Sequence, residues 1–135
     1  MVQEFAGEWV DPVGENMDEY FKETGLGFVL RKLAKTIKDK CIFVIEGDKV
    51  TLISENTFKN HTLSWVLNEK TLITTIDGRQ HYSIFTYEDG KMIEKQSPYK
   101  EGDKLSTITR YVEDGKLVVE FECNGVKAVR RYRRA

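Results

Sequence analysis

The chain has 135 residues, 21 of them basic and 22 acidic, for a net charge of −1, and 40% of it is hydrophobic. That length suits one domain, 1–135, around a single enclosed core, and the near-neutral charge argues against a nucleic-acid binder, which needs a strongly basic field. No apolar run approaches the ~20 residues of a membrane span, and Met1-Val2-Gln3-Glu4-Phe5 has no signal-peptide core, so the cytosol is the expected compartment and Cys41 and Cys123 are expected as free thiols.

Turn signals set the order of the elements. Gly47-Asp48, Asn68-Glu69, Asp77-Gly78, Glu88-Asp89-Gly90, Gly102-Asp103, Asp114-Gly115 and Asn124-Gly125 punctuate the chain, and Asx-Gly pairs are the strongest short hairpin signal. The runs between them are rich in Val, Ile, Thr, Tyr and Phe. They predict strands at 5–12, 41–46, 49–55, 60–67, 71–76, 79–87, 91–96, 104–113, 116–122 and 126–133. Ten short strands in meander order must close or stack to hide their edges, and a closed or nearly closed antiparallel barrel is the simplest outcome. Pro12 and Pro98 are expected at strand or turn boundaries.

Residues 16–38 interrupt the series with helical spacing. Asn16 and Glu19 read as a capping box, and Asp18 and Glu19 suit a first turn. Gly25 and Gly27 divide the stretch into two short helices. On a helical wheel Leu26, Val29, Leu30, Leu33, Ala34 and Ile37 form one apolar arc, opposite Arg31, Lys32, Lys35 and Lys38. Helices this short do not make a domain alone, so they are expected to cover an opening in the barrel.

Two arginines are the most informative side chains. Strand alternation groups Arg110 with Ile108 and Val112, and Arg130 with Val126, Ala128 and Tyr132. A cation on such a face costs several kcal/mol to bury unless an anion meets it. A ligand carboxylate held by two guanidiniums and a phenol would do so, and so would an internal acid in a structural ion-pair cluster. On the residues alone both readings stand.

Other chemistry has less support. His61 and His81 have no ligand spacing to either cysteine or to each other, so no metal is expected. No nucleophile sits in a recognisable elbow, so neither catalytic residues nor a cofactor are expected. The Arg130-Arg131-Tyr132-Arg133-Arg134 run splits onto two strand faces and makes no nucleic-acid patch. The basic side of 27–38 reads either as a solvated face or as a landing surface for anionic membranes, with Phe28, Arg31, Lys32 and Lys35 as the contact candidates.

Several short motifs occur in order along the chain: Phe5-x-Gly7-x-Trp9, Asn16-x-Asp18-x-Tyr20, Gly25-Leu26-Gly27-Phe28 with Arg31, Thr57-Phe58-Lys59-Asn60, Asp114-Gly115-Lys116-Leu117, and Arg110 with Arg130-x-Tyr132. Together they resemble the intracellular fatty-acid-binding proteins of the calycin group over essentially the whole chain. Secreted lipocalins share Gly-x-Trp but lack two helices straight after the first strand. The resemblance implies a ten-stranded antiparallel up-and-down β-barrel with a helix-turn-helix lid between the first and second strands. It further implies a monomeric carrier that reversibly binds a long-chain fatty acid in an internal, partly hydrated cavity and delivers it to membranes or proteins. Arg110, Arg130 and Tyr132 match the family's carboxylate-binding residues, and Met17, Tyr20, Phe58 and Asp77 are expected to line the cavity or its portal. Alternatives are a carrier of another hydrophobic carboxylate, such as a retinoic acid or eicosanoid, and a barrel module that binds partners on its surface. Met17, Asp11-Pro12, Asp39 and the 68–73 segment depart from the family pattern. Met17 replaces a usual aromatic residue, and Asp39 stands where a proline often follows the second helix.

Overall fold

A computed structural model describes residues 1–135. A 3-10 turn at Val2–Phe5 leads into β1 (Gly7–Glu15), followed by α1 (Met17–Glu23) and α2 (Phe28–Ala34). The remaining strands are β2 (Lys40–Glu46), β3 (Lys49–Glu55), β4 (His61–Val66), β5 (Lys70–Thr74), β6 (Gln80–Glu88), β7 (Lys91–Pro98), β8 (Thr107–Glu113), β9 (Lys116–Cys123) and β10 (Val126–Arg134). All ten form one sheet in the order β4-β3-β2-β1-β10-β9-β8-β7-β6-β5. Consecutive strands pair antiparallel, and β1 closes against β10. The expected nearly closed barrel with two helices between its first two strands is what forms. Only β4 and β5 leave a seam. At its open end His61 Nε2 donates to the Thr74 carbonyl at 2.8 Å.

Turn chemistry explains the tight hairpins. Asp89-Gly90, Asp114-Gly115 and Asn124-Gly125 each place two successive residues at positive φ. That conformation matches the right-handed twist of the flanking strands and suits an Asx-Gly pair.

Two expectations at the start of the lid are corrected. The first strand does not end at Pro12 but runs to Glu15, because a bulge between Val10 and Val13 absorbs the proline. Asp11 takes positive φ there and pairs with Arg133; a bulge leaves a residue out of the ladder, so the missing proline N–H costs nothing. Asn16 is not a capping-box residue. It adopts the left-handed conformation, and its side-chain amide donates to the Lys127 carbonyl at 2.7 Å, pinning α1 to the barrel rim. α1 then packs on β9 and β10 through Tyr20, Cys123 and Ala128, with Met17 against them. Met17 lies over Gly14, where a Cβ would meet its Cγ at 2.7 Å.

The interior divides into a packed end and an open end. Phe5, Trp9, Phe43, Val50, Trp65, Phe85, Met92 and Leu117 fill the end away from the helices. Trp65 and Phe85 stack with centroids 3.9 Å apart and planes 7° from parallel. Trp9 donates to the Phe5 carbonyl, and the Arg134 guanidinium lies 3.9 Å from the Trp9 ring centroid. If this cluster forms the barrel's floor, Phe85→Ala should cost about 3–5 kcal/mol. Urea unfolding followed by Trp fluorescence measures it, and a loss below about 1 kcal/mol would mean the floor is loosely filled.

Candidate functional site: a cavity with a charged inner wall

Above the packed floor lies a cavity of about 670 Å³, within the range of ~300–1,000 Å³ common for ligand sites. Its apolar lining comes from α1 and α2 (Tyr20, Phe21, Leu30, Leu33), the segment after α2 (Ile37), and facing strands (Leu63, Ile73, Ile108, Phe121). Of the predicted apolar arc, Leu26, Leu30, Leu33, Ala34 and Ile37 reach the cavity. Val29 does not. It is 77% exposed beside Phe28, because α2 lies along the barrel mouth and buries only one side.

The polar lining begins with strand register. Arg110 on β8 and Arg130 on β10 both pair with Val119 on β9, so the two guanidiniums stand at one level, two strands apart. Both line the cavity. Their circumstances differ. Arg110 is buried, and its Nη1 donates to Glu94 Oε1 at 3.3 Å. Glu94 also accepts from Ser83 at 2.8 Å and from His81 Nε2 and Gln96 Nε2 at 3.4 Å. Burial drives the Glu94 carboxyl upward, but the hydrogen bond from His81, the charge of Arg110 and the Ser83 hydroxyl outweigh it and hold it below its ordinary range. Arg130 has no carboxylate within ion-pair distance. Its guanidinium sits 5.9 Å from the Phe121 ring centroid.

Tyr132 departs from expectation, since it does not itself line the cavity. It is buried behind Asp39, to which its hydroxyl donates at 2.8 Å. Ser54 and the Cys41 thiol also donate to Asp39, at 3.1 and 3.3 Å, and Asp39 and Ser54 do line the cavity. Burial and the neighbouring Asp39 push the Cys41 thiol up to about 12. Burial also raises the Tyr132 phenol well above its ordinary value, so both remain protonated donors.

The mouth is framed by the α1–α2 turn, the β3–β4 turn and the β5–β6 turn. Phe58, Asp77 and Tyr20 line the cavity as expected, and Phe58 is also half-exposed at the mouth. Met17 is corrected: it lies outside the lining, over Gly14, because α1 turns that side toward the sheet. Arg79, not singled out from sequence, ties two of the turns together. Its Nε pairs with Asp77 at 2.8 Å, and its Nη1 donates to the Thr24 carbonyl at 2.6 Å. Of the membrane-contact candidates, Phe28, Lys32 and Lys35 are exposed. Arg31 is not free: it donates to the Leu26 carbonyl at 3.0 Å and lies 3.4 Å from Asp18, so it fastens α2 to α1.

Glu94 and Asp39 are the residues that sequence reasoning left without a role. Glu94 shares an inward face with Met92 and Gln96 by strand alternation, so the signal for an internal acid was present. Asp39 follows a helix in an irregular segment, where no period points its side chain.

An up-and-down barrel that encloses a mainly apolar cavity with cations on one wall is a binding protein for amphipathic molecules. The lipocalin / cytosolic fatty-acid binding protein family model matches residues 6–135, and the chain belongs to that family. Fatty acid-binding protein homolog 6 of Caenorhabditis elegans is 41% identical over 132 residues, 98% of each chain. The structure of apo Caenorhabditis elegans lipid binding protein 8 superposes with a TM-score of 0.93 at 31% identity, covering 100% of this chain and 98% of that one. A Schistosoma mansoni fatty acid binding protein in complex with arachidonic acid gives 0.88 at 26% identity, covering 97% and 96%.

The Arg110–Glu94 pair gives a test of the inner wall. Because the Glu94 carboxyl lies below its ordinary 4.5 in the folded chain, its contribution is complete above that value. It is lost as pH falls through the lower folded value. Glu94→Gln should therefore cost about 3 kcal/mol at neutral pH, the usual penalty for orphaning a buried cation. The gap to the unsubstituted protein should close in urea titrations below pH 4.5. A gap that persists there would assign the loss to packing.

Proposed function

We propose that this protein is an intracellular carrier that binds a long-chain fatty acid in its cavity and releases it to membranes or proteins. The observation that carries the reading is Arg130, a cation on the cavity wall with no acid of its own, beside an apolar volume of about 670 Å³. The relatives' own binding supports the acyl ligand. In this reading the carboxylate seats at Arg130. Arg110 and Tyr132 contribute as each turns from its present partner, Glu94 or Asp39, toward the ligand. The chain works as a monomer, since β1 closes on β10 and only the short β4–β5 seam is left open.

The acyl chain supplies most of the affinity. Each buried methylene gains about 0.8 kcal/mol, and ordering and water displacement bring the result to about nanomolar to micromolar. Affinity should therefore climb steeply from octanoate to palmitate in calorimetry, and equal binding would place the chain outside an apolar cavity. Arg130→Ala should weaken palmitate binding by about 1.5–3 kcal/mol, the worth of a charge-assisted hydrogen bond. Unchanged affinity would remove that side chain from the site.

Release to a membrane is supported by the exposed side of α2. Phe28 and Val29 are 69% and 77% exposed, and Lys32, Lys35 and Lys38 stand near them. An apolar tip ringed by lysines suits an anionic lipid surface, where each cation adds about 1 kcal/mol. Reversing Lys32 and Lys35 to Glu should slow transfer of a fluorescent fatty acid to anionic vesicles while leaving solution affinity nearly unchanged, since neither residue lines the cavity. A transfer rate indifferent to vesicle concentration and lipid charge would mean the ligand leaves through water.

A further inference from the structure

Asp39 changes the charge of the head-group end of the cavity. Two cations stand there, Arg110 and Arg130, and two acids line the cavity with them, Glu94 and Asp39. Their formal charges sum to zero before any ligand arrives. Glu94 is tied to Arg110, Ser83, His81 and Gln96. Asp39 receives three donors, from Tyr132, Ser54 and Cys41, and its charge acts on Arg130. His81 would add a cation only when protonated.

Each acid already uses what a ligand carboxylate would need. Asp39 stands between the cavity and the Tyr132 hydroxyl, so a ligand reaches that donor only by displacing or sharing it. An entering carboxylate would make the enclosed set net negative and would lie close to Asp39, and like charges in a poorly solvated site repel strongly. A head group with no charge meets no such penalty. A primary amide or a hydroxyl can donate to Asp39 and accept from Arg130, satisfying both without adding charge.

We infer that Asp39 sets the head-group selectivity of this cavity, penalising a carboxylate and so admitting long-chain lipids with uncharged hydrogen-bonding head groups, amides and alcohols, on equal terms with the acid. The inference rests on the proposed reading, that the acyl chain occupies the cavity with its head at Arg130, and deepens it by naming the ligand class. Asp39 occupies the link between α2 and β2, so the residue that sets selectivity also tethers the helical lid to the cavity wall.

The test uses the full chain freed of lipid and three sixteen-carbon probes: palmitate, hexadecanamide and 1-hexadecanol. Affinities are measured by displacement of a fluorescent fatty acid at pH about 8, where carboxyls are ionised. The unsubstituted protein should bind the amide within about fivefold of palmitate, and Asp39→Asn should tighten palmitate at least about tenfold relative to the amide, as expected when one nearby like charge is removed. Asparagine keeps the size and an acceptor for Tyr132. Should that variant not fold, the acid-to-amide ratio of the unsubstituted protein decides alone. A ratio beyond about fivefold in favour of palmitate, or a smaller relative change in Asp39→Asn, overturns the inference while leaving a fatty-acid carrier standing. Failure of all three probes to bind overturns the carrier reading itself.

Discussion

A guanidinium held away from bulk water must be given a counter-charge, and the inside of this barrel is organised around that requirement. Register alone sets the two cations at one height, since Arg110 and Arg130 share Val119 as their cross-strand neighbour. An apolar interior would reject them. The chain answers with Glu94 for Arg110, whose Nη1 meets Oε1, while Ser83, His81 and Gln96 all gather on Oε2. Arg130 has no carboxylate in ion-pair contact, only the charge of Asp39 at longer range and the Phe121 ring beside it. One cation thus belongs to the scaffold, while the other is kept open.

The same division runs along the barrel axis. Stacked and packed aromatics, with Trp65 on Phe85 and Phe5 beside Phe43, occupy the closed end. At the other end the sheet cannot seal itself, and two helices too short to stand alone cover it instead. Their attachment is specific rather than extensive. Asn16 reaches the Lys127 carbonyl, Tyr20 shares a hydrogen bond with Ser106, and Arg79 reaches back to the Thr24 carbonyl. Few contacts of this kind let a lid shift without disturbing the floor.

How much of this the sequence carried depends on whether a local period governed the side chain. Strand alternation and Asx-Gly turns were enough for ten strands and for the inward aim of Arg110 and Arg130. They sufficed because period two leaves no freedom in which face a residue takes. The failures fall where a period is interrupted. The bulge at Asp11-Pro12 extended β1, and the left-handed Asn16 spent its side chain on the barrel rather than the helix. Val29 fell on the predicted arc but not on the buried side, because wheel geometry knows nothing of the height at which a helix crosses a barrel rim. Tyr132 had the right face and still missed the cavity surface, because Asp39 came from a distant irregular segment to stand before it.

Closure of the sheet by its first and last strands has a consequence for how the molecule is made. Trp9 on β1 lies opposite Arg134 on β10, across nearly the whole length of the chain. Nine of the strands can meet a neighbour as soon as the next hairpin is synthesised, but β1 must wait for β10 on one side and for the helices to pass before β2 arrives on the other. Such distant pairing is slow, because loop entropy is lost before any contact is gained. Arg130 and Tyr132 lie on that final strand, so a nascent chain holds an open, edge-exposing sheet until they are added. The charged inner wall and the seal of the barrel are thus completed in one late event, and a chain that stalls before it exposes both an unpaired edge and an unguarded apolar interior to its neighbours.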